Sequence, residues 1–135
     1  MPYANWDPAM AIGVDEIDGQ HRELLGILNR LQDQAHGPGQ AAGAGMTGEE
    51  SLRALADYAR RHFACEEGHM ERAGFPGLAV QRRQHEEFTR RVADAQLEAA
   101  CCGAPVSATI DFLKHWLVEH IMGQDLAFRR FLDEG

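Results

Sequence analysis

Apolar residues recur along this chain at steps of three and four, the spacing of helices that each bury one face. Ile17, Leu24, Leu25, Leu28 and Leu31 trace a stripe that predicts a helix over about 18–36. Leu52, Leu55, Ala59 and Ala73 predict a second over about 47–73; Thr47 and Glu50 have capping-box spacing at its start, and Gly74 and Pro76 stop it. Leu78, Phe88, Val92, Ala95 and Ala99 predict a third over about 78–102, closed by Gly103. Pro105 suits the first turn of a fourth, over about 105–122, whose face is Val106, Ile110, Leu113 and Leu117. Gly123 loosens its end, and 126–132 adds a further turn or two.

Between these stripes the punctuation is clear. Pro2, Trp6, Pro8 and Gly13 mark 1–17 as an extended arm packed on the domain, and the Gly- and Ala-rich stretch 37–48 reads as a flexible loop. Four one-sided helices on moderate loops predict an all-α, antiparallel up-down-up-down four-helix bundle with an extended N-terminal arm, one domain over 1–135.

The stripes contain an anomaly. His21 interrupts the first, His62, Glu66 and His69 the second, Gln81 and His85 the third, and His120 the fourth. Asp125 follows His120 by five residues, a spacing that reaches the same face only if the helix distorts near Gly123. A buried carboxylate needs compensation, and no Lys or Arg lies on the inward faces, so a cation must come from elsewhere. Imidazole with carboxylate suits iron, zinc or manganese. Singly, each residue has an ordinary explanation, such as a hydrogen-bonded core histidine or a solvated helix end. Jointly, four helices would have to misplace polar groups at compatible depths.

Composition narrows the function. With 135 residues, 25% charged and 44% hydrophobic, the chain suits one soluble domain, and a net charge of −8 disfavours a phosphate backbone as partner. There is no apolar run of membrane-spanning length and no signal-peptide pattern at the start, and Cys65, Cys101 and Cys102 do not form a disulfide framework, so a cytoplasmic location is expected. Cys65 reads as a structural thiol, and His36 and His115, off the inward stripes, as surface residues.

The motifs resemble those of the bacterial hemerythrins. The opening is Ile12-Gly13-Val14-Asp15-Glu16-Ile17-Asp18-Gly19-Gln20-His21, followed by Glu23-Leu24-Leu25. His62-Phe63-Ala64-Cys65-Glu66-Glu67 with Met70, and Trp116-Leu117-Val118-Glu119-His120-Ile121 with Asp125, extend the likeness over Trp6 to Leu132. The resemblance implies a non-haem centre of two iron ions bridged by two carboxylates, matched by Glu66 and Asp125, and by a hydroxide or oxide. One iron takes two histidines, matched by His21 and His62, and keeps an open position for dioxygen. The other takes three, of which His85 and His120 are matched, while the third position holds Gln81. An oxygen pocket lined by Leu24, Phe63, Met70, Trp116, Leu117 and Ile121 is implied in the same way. His69 lies one turn beyond Glu66, and antiparallel packing should set it opposite Gln81; the expectation is that His69 supplies the missing imidazole and Gln81 fixes its ring.

The function expected is reversible binding of dioxygen or a similar small ligand, as carrier, store or delivery module, rather than catalysis. Five imidazoles with two carboxylates differ from the glutamate-rich sets of helical di-iron enzymes. The alternatives are a di-iron oxidoreductase acting on peroxide, oxygen or nitric oxide, and a sensor acting through a separate protein partner. A closed structural zinc site would take only four ligands.

Overall fold

The computed structural model describes residues 5–36, 48–102 and 107–134. The glycine-rich loop, the capping role of Thr47, the stop at Gly103 and the Pro105 helix start lie outside the described residues. A short 3-10 turn, Pro8–Met10, leads into α1 (Asp15–His36), α2 (Gly48–Ala73), α3 (Leu78–Cys102) and α4 (Ser107–His120). A π-helical turn, Ile121–Asp125, then joins α4 to the short α5 (Leu126–Glu134).

Cross-helix bonds run in opposite sequence directions: Glu16 meets His69 while Gln20 meets His62, and Glu98 meets Thr109 while Glu87 meets Trp116. The architecture is therefore an antiparallel four-helix bundle.

Helix ends are set by local chemistry. α1 begins three residues earlier than the hydrophobic stripe alone indicates, because Asp15, Glu16 and Asp18 place negative charge on its first turn and the Asp18 N–H already bonds the Val14 carbonyl at 2.9 Å. The buried Asp18 carboxylate also accepts from the N–H groups of Ile12 (2.9 Å) and Gly13 (3.3 Å), which ties the arm to α1. α2 ends with Gly74 at φ 72°, while Gly74 N–H bonds Glu71 and Phe75 N–H bonds Met70, closing the last carbonyls as a left-handed cap does. The arm is held further by the Arg22 guanidinium over the Trp6 ring and by Arg129 donating to the Ala11 carbonyl.

The core falls into two apolar layers. The larger gathers Leu24, Leu25, Leu28 and Leu31 with Leu52, Leu55, Ala59, Phe63, Phe88, Val92, Ile110, Leu113, Leu117 and Ile121. The smaller, at the arm end, holds Ile12, Ile17, Met70 and Phe128. Between them lies a layer of buried polar side chains. Leu28→Ala, at a fully buried position, is expected to cost about 2–5 kcal/mol in chemical denaturation, whereas Leu97→Ala, at a position 70% exposed, should shift stability by less than about 0.5 kcal/mol.

Candidate metal centre

The polar layer comprises His21, His62, Glu66, Gln81, His85, His120 and Asp125, all less than 5% exposed. α1 supplies His21, α2 supplies His62 and Glu66, and α3 supplies Gln81 and His85. α4 and the π turn supply His120 and Asp125. In a regular α-helix a five-residue step leaves two side chains about 140° apart. The wider turn over Ile121–Asp125 brings Asp125 round to the side of His120, and their Nε2 and Oδ1 atoms lie 3.3 Å apart.

Each carboxylate divides its oxygens between two histidine pairs. Glu66 Oε2 lies 3.5 Å from His21 Nε2 and 3.7 Å from His62 Nε2; Glu66 Oε1 lies 3.0 Å from His85 Nε2 and 3.8 Å from His120 Nε2. Asp125 repeats the division, with Oδ2 3.1 Å from His21 Nε2 and Oδ1 facing His120. The arrangement is two groups of imidazoles that share two carboxylates.

Three of the four imidazoles are turned inward by a partner on their outer nitrogen. His62 Nδ1–H donates to Gln20 Oε1, His85 Nδ1–H to Glu67 Oε2 and His120 Nδ1–H to Gln84 Oε1, each at 2.7 Å. A proton held at Nδ1 leaves the Nε2 lone pair for a cation, the arrangement that orients metal-bound histidines generally. The residues also fit a metal by what they leave unmet. The close contacts of His21 Nε2, Glu66 Oε2 and Asp125 Oδ2 lack hydrogen-bond alignment, so among the described residues these buried atoms have no hydrogen-bonding partner, and neither does Gln81 Oε1. Orphaned polar atoms at such depth are costly, and a cation among them removes the cost.

The electrostatics agree. Burial pushes His21 down, but the Asp125 and Glu66 carboxylates outweigh it and hold the ring up to about 9. His120 is likewise pushed down by burial and held up to about 9 by the same two groups. Burial dominates at His62, which falls to about 4. Burial would raise Glu66, yet His120, His21 and His85 hold it well below the ordinary carboxylate range. The same two carboxylates therefore favour the protonated form of the His21 and His120 rings.

The structure brings together six of the seven candidate ligands, His21, His62, Glu66, His85, His120 and Asp125, with Gln81 beside them. His69 is not among them. Its Nε2 lies 2.9 Å from Glu16 Oε1, and its side chain is 28% exposed. The reason is rotational: three residues past Glu66, His69 sits about 60° to the side of α2 on which His62 meets α1, away from α3. One turn of axial advance matched it to Gln81, but the helical phase points it at the other neighbour. Gln81 instead donates through Nε2 to Asp125 Oδ1 at 3.0 Å, so its partner is a carboxylate rather than the His69 ring.

The six residues expected to line an oxygen pocket also divide. Leu24, Phe63, Leu117 and Ile121 belong to the larger apolar layer, with Trp116 packed against it, while Met70 lies in the smaller layer. Phe63 stacks on the His85 ring at 3.9 Å between centroids, and Trp116 stacks on His120 at 4.7 Å. His115 is exposed; the side chain of His36 falls outside the described residues. The sequence reading did not assign Gln20, Glu67 and Gln84. Their signal was adjacency, since each neighbours a layer residue in sequence and carries an acceptor oxygen to the next helix.

Comparison with known proteins places this geometry in context. Residues 12–131 match the family model of the hemerythrin HHE cation-binding domain. A bacteriohemerythrin of Stenotrophomonas maltophilia is 39% identical over 124 residues, covering 91% of this chain and 77% of the relative. A hemerythrin-like protein of Naegleria gruberi is 30% identical over 128 residues, covering 95% of this chain and 92% of the relative. The crystal structure of a wild-type hemerythrin superposes with a TM-score of 0.80 at 28% identity, over 95% of this chain and 96% of that one.

The raised histidines set a pH dependence for metal-stripped protein. Their folded-state values exceed the ordinary 6.5, so the stability they contribute is complete below about 6.5 and is lost as pH rises through about 9. His62, lowered to about 4, acts in the opposite sense, weakening the fold as pH falls from 6.5 toward 4. Thermal unfolding of chelator-stripped protein should therefore show a maximum near pH 6.5 and a falling Tm toward pH 9. Metal-loaded protein should lack that alkaline decline, because the cations replace the protons.

Proposed function

The chain belongs to the hemerythrin family, and from that premise we propose that it binds two iron ions and uses them to bind dioxygen reversibly. The observation that carries this reading is the division of Glu66 and Asp125 between two histidine pairs. In this proposal His21 and His62 would hold one iron and His85 and His120 the other, with Glu66 and Asp125 shared between the two positions. Bound there in the reduced state, iron would supply electrons for reversible uptake of dioxygen.

The chain's own residues supply the rest. Gln20, Glu67 and Gln84 hold three imidazoles in place. Leu24, Phe63, Leu117, Ile121 and the half-buried Trp116 shield one side of the layer from water, which favours release of an intact ligand over its reduction. Imidazole-rich coordination leaves the irons more electron-poor than a glutamate-rich set would, disfavouring the oxidised states that attack substrates. Cys65 and Cys101 are free thiols, which supports a reducing compartment such as the cytoplasm. Among the described residues no helix is long and apolar enough to cross a membrane.

Elemental analysis should find close to two irons per chain, and Glu66→Ala should lose most of both, because the bridging carboxylate serves each half-site. Reduced protein mixed with oxygen should form a coloured adduct that disappears when oxygen is withdrawn. Direct oxidation without such an adduct, together with steady turnover of hydrogen peroxide and a reductant, would replace the carrier reading by the oxidoreductase one.

Gln81 yields a further expectation. An amide is a poorer ligand than imidazole. Gln81→His should therefore slow loss of the second iron to a chelator, while His69→Ala leaves iron content and spectrum unchanged.

A further inference from the structure

A second group of metal-ligating side chains collects outside the buried layer, on the seam between α1 and α2. Glu16, Cys65 and His69 each offer a ligand atom, and the three atoms lie within 4.8 Å of one another. The helical register explains why. Glu16 and Gln20 are one turn apart on α1, Cys65 and His69 are one turn apart on α2, and antiparallel packing sets Glu16 against His69 and Gln20 against Cys65. The four residues form a square whose edges are alternately helical turns and cross-helix contacts.

We propose that Glu16, Cys65 and His69 bind one zinc-type divalent cation at a site separate from the buried layer. The donor set selects the ion. A thiolate disfavours magnesium and calcium, which take oxygen ligands, whereas sulfur, imidazole nitrogen and carboxylate oxygen together suit Zn²⁺. Three protein ligands leave the fourth tetrahedral position to water. The charges balance as well, since a carboxylate and a thiolate offset the two charges of the ion while His69 binds neutral.

Access distinguishes this site from the buried one. The Glu16 side chain is 60% exposed and that of His69 is 28% exposed, so an ion enters from solvent without the bundle opening. The site also adjoins the buried layer through one residue. Gln20, which lies beside the Cys65 thiol, accepts from His62 Nδ1 at 2.7 Å.

The test uses the whole iron-loaded chain carrying Cys101→Ser and Cys102→Ser, so that Cys65 is its sole thiol. Titration with Zn²⁺ should add one equivalent per chain that survives gel filtration, with iron content unchanged. Co²⁺ in its place should give a near-ultraviolet thiolate-to-cobalt band. Cys65→Ser should abolish the band, and His69→Ala should weaken Zn²⁺ binding by about 100-fold, at or above the range for losing an outer hydrogen-bond partner of a metal ligand. The proposal is overturned if no equivalent is added, if zinc enters only by displacing iron, or if cobalt binds without a thiolate band. Circular dichroism of each variant separates loss of the site from loss of the fold.

Discussion

The burial of two carboxylates governs this molecule. Glu66 and Asp125 are fully buried, at a depth where an ionised group without a counter-charge is not tolerated. No arginine or lysine is among the residues of that layer. Other features can be read as answers to this constraint: histidines arriving from all four long helices, outer acceptors that aim them inward, and apolar layers above and below that keep water away. The bundle provides four rigid rods, and the carboxylates determine what those rods must present at one level.

Much of the architecture was legible in the sequence because helical periodicity is a strong signal when the buried face is apolar. Leu24, Leu28, Leu52, Leu55, Phe88, Val92, Ile110 and Leu113 are buried, as their spacing implied. The layer residues stood out as polar interruptions of the same stripes. What the sequence did not convey was rotation about each helix axis. His69 and Met70 both lie about one turn beyond Glu66, yet His69 turns to α1 and is partly exposed while Met70 is buried among Ile12, Ile17 and Phe128. A stripe drawn by steps of three and four is about 100° wide, and its two margins can face different neighbours. The outer acceptors gave a weaker signal for a related reason: Gln20, Glu67 and Gln84 adjoin layer residues in sequence but lie off the apolar stripes, where polar residues are expected.

Gln81 changes the symmetry of the centre. With a glutamine at that position, each side of the layer presents two imidazoles to the shared carboxylates. The halves then differ through their surroundings. Phe63 and Trp116 cover His85 and His120 face to face, and the Gln81 amide bonds the Asp125 oxygen on the same side. Among the described residues His21 has no partner on its outer nitrogen, while His62 has Gln20. Two sides of one polar layer need not differ in their imidazoles or carboxylates; stacking and hydrogen bonding set them apart.

The wide turn at Ile121–Asp125 acts as a one-residue insertion in an otherwise continuous helix. Downstream of it the helical phase is restored, so Phe128 still reaches the smaller apolar layer and the distortion stays local. A chain one residue shorter here would form a plain helix with more regular backbone bonding and the same outer faces. By widening one turn the chain gives up regular backbone bonding over Ile121–Asp125 and sets a carboxylate beside His120, so local helical regularity is exchanged for chemistry at the buried layer.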